Sequence, residues 1–369
     1  MRPVLLDRFI ALLDYDLWLF GAAAGLTLIS GLAMASAATT IDPRLALRHD
    51  TWALIGILLS ISVSRRSYRR WTDGAAIVYA ISVGALLIVE VAGAERLGAT
   101  RWLSIFGLSV QPSELAKLAM TLLLAQYLAG QSLPLPRHVF LMSGVLAGLP
   151  ALLIFLQPDL GSASILAAIW LGMVWVAGAP RRMLLLAGSG LLALLPIGWH
   201  VLKSYQRDRL LAFIDPHADP LGAGYTIIQS VIAVGSGQLL GRGWFAGTQN
   251  QLSFLPERHS DFIFSVIGEE WGCIGCLVVV GLFGVLLMRA VRIARETSVP
   301  QGRLLAVGIL LWMGYQACVN MGMVMGLLPV VGVPLPLISY GGSSMVTVWI
   351  ALGLLQSIHR SDRLRPPVS

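Results

Sequence analysis

The stretch Gly322-Met323-Val324-Met325-Gly326-Leu327-Leu328-Pro329-Val330-Val331-Gly332-Val333-Pro334-Leu335-Pro336-Leu337-Ile338-Ser339-Tyr340-Gly341-Gly342-Ser343-Ser344 decides the class of this chain. An apolar helix enters it, breaks into a run of Pro and Gly, and restarts. Broken backbone at membrane depth survives only where protein or a watered cavity satisfies its amides and carbonyls. The segment therefore predicts an internal cavity or functional surface within a membrane protein.

Composition agrees. Of 369 residues 56% are hydrophobic and only 12% charged, where a soluble chain carries about a quarter charged. Mean hydropathy is +0.77. The expected fold is an all-α polytopic membrane protein. In such a chain a net charge of +7 reads as Arg and Lys in cytoplasmic loops, not as a nucleic-acid surface. No nucleic-acid partner is expected.

Ten apolar runs are long enough to span, or nearly so: 17–37, 50–64, 74–92, 113–130, 139–156, 160–178, 183–201, 262–288, 304–327 and 342–358. The second is the shortest. Residues 1–16 carry Arg2, Asp7, Arg8, Asp14 and Asp16, so the first run reads as a targeting helix that stays in place and not as a cleaved leader. With the N-terminus inside, the inner segments hold sixteen arginines, including Arg65, Arg66, Arg69 and Arg70, against Arg44, Arg48, Arg96 and Arg101 in the short outer loops. That bias predicts both termini on the cytoplasmic side. The whole chain, 1–369, reads as one transmembrane domain.

One outer segment, about 202–261, is exceptionally long, and long connections tend to be functional. Gly224–Gly237 within it is largely apolar and suited to lie on or dip into the membrane. Around it sit Arg207, Arg209, Arg242, Glu257, Arg258 and Asp261. No Walker motif, strand-borne G-x-G-x-x-G or H-E-x-x-H occurs, so no nucleotide is expected. Cys273-Ile274-Gly275-Cys276 is formally a C-x-x-C, but with no second ligand pair it reads as small residues on a buried helix.

Several ionisable residues fall at span boundaries, where they are costly and point to function. Glu114 and Lys117 are i and i+3 on one helix face after Pro112. They form either a binding pair or a packing ion pair. Asp159 follows Gln157-Pro158 and opens the sixth span, as a site residue or a helix cap. Asp261 is the last charge before the eighth span, where partial desolvation can raise its pKa toward that of a general base. The pair Glu269-Glu270 lies inside that span and could bind a cation or pair with neighbouring groups. From these residues alone, an enzyme acting at the outer surface and a transporter moving a lipid-linked substrate both stay open.

The motifs together resemble those of the SEDS family (shape, elongation, division and sporulation). Arg101-Trp102, Gln111-Pro112-Ser113-Glu114-Leu115-Ala116-Lys117, Gln157-Pro158-Asp159-Leu160-Gly161, Asp215-Pro216, Gly241-Arg242-Gly243-Trp244, Leu255–Phe264 and Asn320 through Ser344 follow one another in the family's order. Gly247–Leu252 and Pro256-Glu257-Arg258-His259 are most similar to its elongation, RodA-type, branch. The resemblance implies a ten-helix peptidoglycan glycosyltransferase of the bacterial cytoplasmic membrane that polymerises lipid II on the outer face. A lipid II flippase is the rival reading. Implied partners are a class B penicillin-binding protein (the elongation transpeptidase), lipid II, membrane lipids and other elongation-complex proteins.

The family's essential loop acid maps onto Asp261, its Glu and Lys pair onto Glu114 and Lys117, and its Gln-Pro-Asp aspartate onto Asp159. Glycosyl transfer from a lipid pyrophosphate needs a base and positive charge on the leaving group. Asp261 is the expected catalytic base. Arg101, Arg207, Arg209, Arg242 and Arg258 are candidate pyrophosphate ligands, since guanidinium forks match phosphate oxygens. Glu114, Lys117 and Asp159 are further expected substrate-binding residues. A divalent cation, Mg or Mn, held by Asp159 and Asp261 is compatible with the sequence and not demanded by it.

Overall fold

The computed structural model describes residues 15–92, 94–96, 99–105 and 108–363. Residues 1–14, which carry the charged start of the expected uncleaved leader, lie outside the described residues. In chain order the elements begin with α1 (Leu17–Ala38), α2 (Arg44–Ser64), a short α3 (Tyr68–Asp73) and α4 (Ala75–Ala92). Strands β1 (Ala94–Arg96), β2 (Ala99–Ile105) and β3 (Leu108–Val110) follow, then α5 (Pro112–Ala129), α6 (Arg137–Leu156), α7 (Leu160–Val176) and α8 (Arg181–Val201). The remainder is α9 (Ser204–Ile214), α10 (Tyr225–Ser236), α11 (Thr248–Gln251), α12 (Ile263–Glu296), α13 (Pro300–Val324) and α14 (Gly342–Arg363).

The ten expected spans coincide with α1, α2, α4 to α8 and α12 to α14. The fold is that of an all-α integral membrane protein. Six of these helices are long and apolar enough to cross a membrane by themselves: α1, α2, α6, α8, α12 and α13. Helices α5 and α14 are more polar because protein, not lipid, surrounds them. Most of α5 is buried, and α14 is buried almost continuously from Ala351 to His359. The lipid-facing helices show the reverse pattern. Trp18, Leu28, Ile77 and Leu185 are each more than two-thirds exposed, while Glu114, Lys117, Gln316 and Asn320 are fully enclosed. In hydrocarbon, apolar side chains face the solvent and polar ones must find partners inside.

Two features went unforeseen. Strands β1, β2 and β3 form an antiparallel sheet in the order β1-β2-β3 between α4 and α5. Its short strands lie next to a span and lack a clean alternation of their own, but β2 carries Arg101 to the site. The second feature is a break in α12 at Gly272, where φ is 68° and ψ −162°. The amides of Cys273 and Ile274 leave the helix and donate to Gln238 O (2.8 Å) and Leu239 O (3.3 Å). The carbonyls of Glu269 and Glu270 instead accept from Arg242 N and Gly243 N, both at 3.0 Å. Loop 237–243 thus replaces the helical bonds the break removes, as buried backbone requires. A Cβ on Gly272 would sit 2.3 Å from Gly241 N, so the insertion needs glycine.

The long segment 202–261 is folded as α9, α10 and α11 with turns. Helix α10 packs on α12 and α13, where Ser230 Oγ meets Ser265 Oγ at 2.9 Å and donates to Val324 O at 2.7 Å. That bond satisfies a terminal carbonyl of α13.

Candidate active site

The site forms where four pieces meet: the turn before α12, the broken segment 325–341, the start of α7, and α9. Asp261 stands in the turn. Its amide donates to Glu257 O (3.1 Å), as do those of Ser260 and Phe262, so one carbonyl winds the whole turn. Asn320 Nδ2 on α13 donates to Asp261 O (2.9 Å) and to Val333 O (2.7 Å), fixing the turn to the broken segment. The backbone of Asp261 is therefore held on both sides. Among the described residues, no hydrogen bond or ion pair ends on its carboxylate.

That carboxylate is pushed up to about 6. Burial is the main cause, with the neighbouring charge of Glu257 adding to it, Arg209 and Arg101 opposing it, and Asp159 adding weakly. Gly332 has φ +69°, and a Cβ there would lie 3.5 Å from Asp261 Oδ2 and 4.0 Å from Arg209 Nη1. The carboxylate and the guanidinium thus both approach the bare face of this glycine. Beside them opens a shallow, solvent-connected cleft lined by Arg101, Pro158, Leu160, Tyr205, Gln206, Arg209 and Leu210, with Val330 and Val331.

The cleft walls are tied together through the carbonyls of Gln157 and Pro158. Arg101 Nε donates to Gln157 O (3.1 Å), and its Nη2 to Pro158 O. Gln206 Nε2 on α9 reaches the same Pro158 O at 3.1 Å. Arg209 is exposed and its guanidinium lies 5.8 Å from the Tyr205 ring centre. Asp159 is buried and caps α7, accepting from Ser162 N at 3.1 Å.

The structure brings Asp261, Asp159, Arg101 and Arg209 together and sends the other expected residues elsewhere. Glu114 and Lys117 have no exposed surface and so cannot touch a substrate in this state. They form an ion pair of 2.7 Å, and Lys117 also donates to Gln316 Oε1 at 3.0 Å. Arg258 is buried with Nε on Ala37 O (3.2 Å) and Nη2 on Thr40 Oγ1, clasping the turn to the end of α1. Arg242 bonds Thr248 Oγ1 at 3.1 Å beside the α12 break. Arg207 turns back to His200 O at 2.8 Å. The physical reason is common to all three arginines: carbonyls and hydroxyls released at helix ends need donors, and an arginine fork supplies several.

Glu269 and Glu270 are also engaged. Glu269 accepts from Gln249 N (2.8 Å), Asn250 N (3.2 Å) and Thr248 Oγ1 (3.2 Å). Glu270 accepts from Ser36 Oγ (2.5 Å) and Asn250 Nδ2 (2.9 Å). The cysteines at 273, 276 and 318 are free, and among the described residues no three His, Cys, Asp or Glu side chains gather as a metal site. Sequence reading named no role for Gln316, Asn320 or Tyr205. Amides on an apolar span and a tyrosine in a loop give no periodic signal.

Comparison with known proteins matches the FtsW, RodA and SpoVE family, described as cell cycle proteins, over residues 12–364. The chain belongs to the SEDS family. This SEDS chain is 42% identical over 312 residues to the peptidoglycan glycosyltransferase MrdB of Escherichia coli strain K12, covering 84% of each. It is 33% identical to the peptidoglycan glycosyltransferase RodA of Treponema pallidum strain Nichols, over 94% of this chain and 98% of that one. Among solved structures, a chain from a peptidoglycan synthase complex that coordinates polymerization and crosslinking superposes with a TM-score of 0.82 at 34% identity, covering 95% of the SEDS chain and 99% of its own. The Thermus thermophilus rod shape determining protein RodA superposes with a TM-score of 0.72 at 32% identity, covering 95% and 98%.

Proposed function

We propose that this chain is a peptidoglycan glycosyltransferase that polymerises lipid II during cell elongation, with Asp261 as general base. The observation that carries the reading is the Asp261 carboxylate: its backbone is clamped, its oxygens are uncommitted, and its pKa is held near 6 beside two arginines. A base near the working pH combines the right protonation state with a useful driving force. Asp261 takes the proton from the acceptor sugar hydroxyl as oxygen attacks the anomeric carbon. The bond to the lipid pyrophosphate breaks, and the leaving group carries away the negative charge.

Arg101 and Arg209 line the cleft beside that carboxylate and are placed to neutralise the departing pyrophosphate. Arg258 and Arg242 are left out of the clamp because neither lines the cleft, whereas Arg101 does so even while its Nε and Nη2 hold the carbonyls at 157 and 158. Arg207 contributes charge from the far side of α9. The two carboxylates Asp159 and Asp261 fit Mg²⁺ or Mn²⁺ only as a minor share of its ligands, with pyrophosphate oxygens and water supplying the rest. When bound, such an ion would add charge neutralisation at the pyrophosphate. The arginine bias of the loops supports a cytoplasmic location for both termini and an outer-face site. The synthase complex among the structural relatives supports a class B penicillin-binding protein as partner.

The test uses purified chain with a class B penicillin-binding protein and labelled lipid II. Glycan polymer is expected on a gel, falling by roughly 100- to 10,000-fold in Asp261→Asn, the range of a lost general base. A wild-type rate in Asp261→Asn would sink the assignment, and lipid II crossing liposomes without polymer would favour a transporter.

A further inference from the structure

We infer that Gln316 is a positioning residue for Asp261, and that the buried Glu114–Lys117 ion pair acts on the reaction only through it. The inference rests on Asp261 being the base. Gln316 sits one helical turn from Asn320 on the same face of α13, and both are fully buried. Three groups meet its amide. Lys117 Nζ (3.0 Å) and Trp312 Nε1 (2.8 Å) both donate to Oε1, and Nε2 donates to Pro334 O (2.8 Å).

The orientation of that amide is not free. Lysine and tryptophan are donors only, so the amide oxygen must face them and the amide nitrogen must face Pro334. The charge of Lys117 is itself balanced by Glu114 at 2.7 Å, inside a site neither residue leaves. The next turn of α13 repeats the device, with Asn320 donating to Val333 O and to Asp261 O. Two consecutive carbonyls of the broken segment, at 333 and 334, are thereby pinned to one helix face. Pro334 and Pro336 supply no amide of their own to hold the segment in place.

Gly332, the residue before this pinned pair, has both Asp261 Oδ2 and Arg209 Nη1 close to the side where a Cβ would stand. The path from α5 is therefore continuous: ion pair, Gln316, the carbonyls at 333 and 334, Asn320, and the backbone of the catalytic turn. Loss of Gln316 leaves the fold's spans intact but frees the wall against which Asp261 is set. A small displacement of that kind costs rate more than binding.

The experiment measures polymerisation by the full chain with its penicillin-binding partner, against lipid II concentration and against pH, for Gln316→Leu, Lys117→Met, Glu114→Gln with Lys117→Met, and Gln316→Leu with Lys117→Met. Gln316→Leu is expected to lower kcat by about 10- to 100-fold while KM stays within about twofold, and to move the acid limb of the pH profile. Adding Lys117→Met to Gln316→Leu is expected to cost nothing more, since both act through one element. The inference is overturned if Gln316→Leu turns over at the wild-type rate, if only KM rises, or if the two losses multiply. Should Gln316→Leu not fold, the isosteric Gln316→Glu, which still accepts from Lys117, is measured against the same outcomes. Asp261→Asn in parallel separates the two readings. If it polymerises normally, the base assignment falls and this inference with it. If it is dead while Gln316→Leu is normal, only this inference falls.

Discussion

Three carboxylates lie within ten residues of one another at the start of α12, and they lead opposite lives. Glu269 and Glu270 are buried and between them accept from two backbone amides, two hydroxyls and the Asn250 side chain. They cap α11 and bolt loop 248–251 to α1 and α12. Asp261 is held by its backbone alone, with its Oδ2 and the Arg209 guanidinium both close to Gly332. The lesson concerns where the free energy of a buried charge goes. A carboxylate whose oxygens accept several bonds from the fold builds structure. One left partly desolvated and unbonded has its proton affinity raised and is ready to take a proton.

The sharpest way to break this contrast is pH. Burial raises the Asp261 pKa to about 6, and the carboxylate is the active form, so polymerisation should be full above that value and fall as pH drops through it. Two units below it, about 1% of the carboxylate remains and kcat/KM should be down roughly a hundredfold. A raised carboxylate pKa also disfavours folding as pH rises through about 6, because the unfolded chain gives up its proton first. Asp261→Asn should therefore melt no lower than wild type at pH 7, although it is inactive. A flat rate from pH 5 to 8 would remove Asp261 from the role of base.

Arg209→Ala comes next. It removes an exposed guanidinium from the cleft without orphaning any buried group. A charged hydrogen bond is worth about 1.5–3 kcal/mol, which corresponds to roughly a 10- to 100-fold loss in kcat/KM. Inorganic pyrophosphate should inhibit the variant less than wild type. Equal inhibition of both would place the leaving group elsewhere.

Glu269→Ala tests the other side of the comparison. Three donors at 248, 249 and 250 lose their acceptor, and the buried amide of Asn250 alone costs about 1–3 kcal/mol when left unpaired. The expected result is a lower melting temperature and less folded protein, with the pH midpoint of the surviving activity unmoved. A shifted midpoint at wild-type stability would mean that Glu269 acts on the chemistry.

How far the sequence could tell these carboxylates apart depended on what each contacts. The spans were legible because bilayer thickness dictates the length of apolar runs, and the ten runs landed on ten helices. The broken segment was legible because Pro and Gly cannot continue a helix. Asp261 stood out as the last charge before a span, a local property. Whether Glu269 and Glu270 faced donors or a cation depended on Asn250, on Ser36 and on the break at Gly272, partners remote in sequence or invisible in apolar periodicity. The pair at 114 and 117 was found, but its burial depends on α13 packing over it. The arginines were all plausible phosphate ligands because charge is visible in a sequence and the carbonyl it will meet is not.

Arg242 gives the smallest effect and the finest discrimination. It shares with Arg209 the long loop, the charge and the exposure, and sequence reading placed both on pyrophosphate. In the fold its Nη1 reaches Thr248 Oγ1 at 3.1 Å, while its backbone amide, which any residue would supply, bonds Glu269 O. Arg242→Gln keeps that amide and exchanges two exposed side-chain bonds, to Thr248 Oγ1 and to Ser236 O, for water. Exposed changes of this kind stay within about 0.5 kcal/mol, or about twofold in rate. Wild-type polymerisation and unchanged inhibition by pyrophosphate are therefore expected, beside the deficit in Arg209→Ala. A loss in Arg242→Gln as deep as that in Arg209→Ala would mean that the loop swings its guanidinium into the cleft during turnover. The division between arginines that brace the fold and arginines that face the substrate would then have to be redrawn.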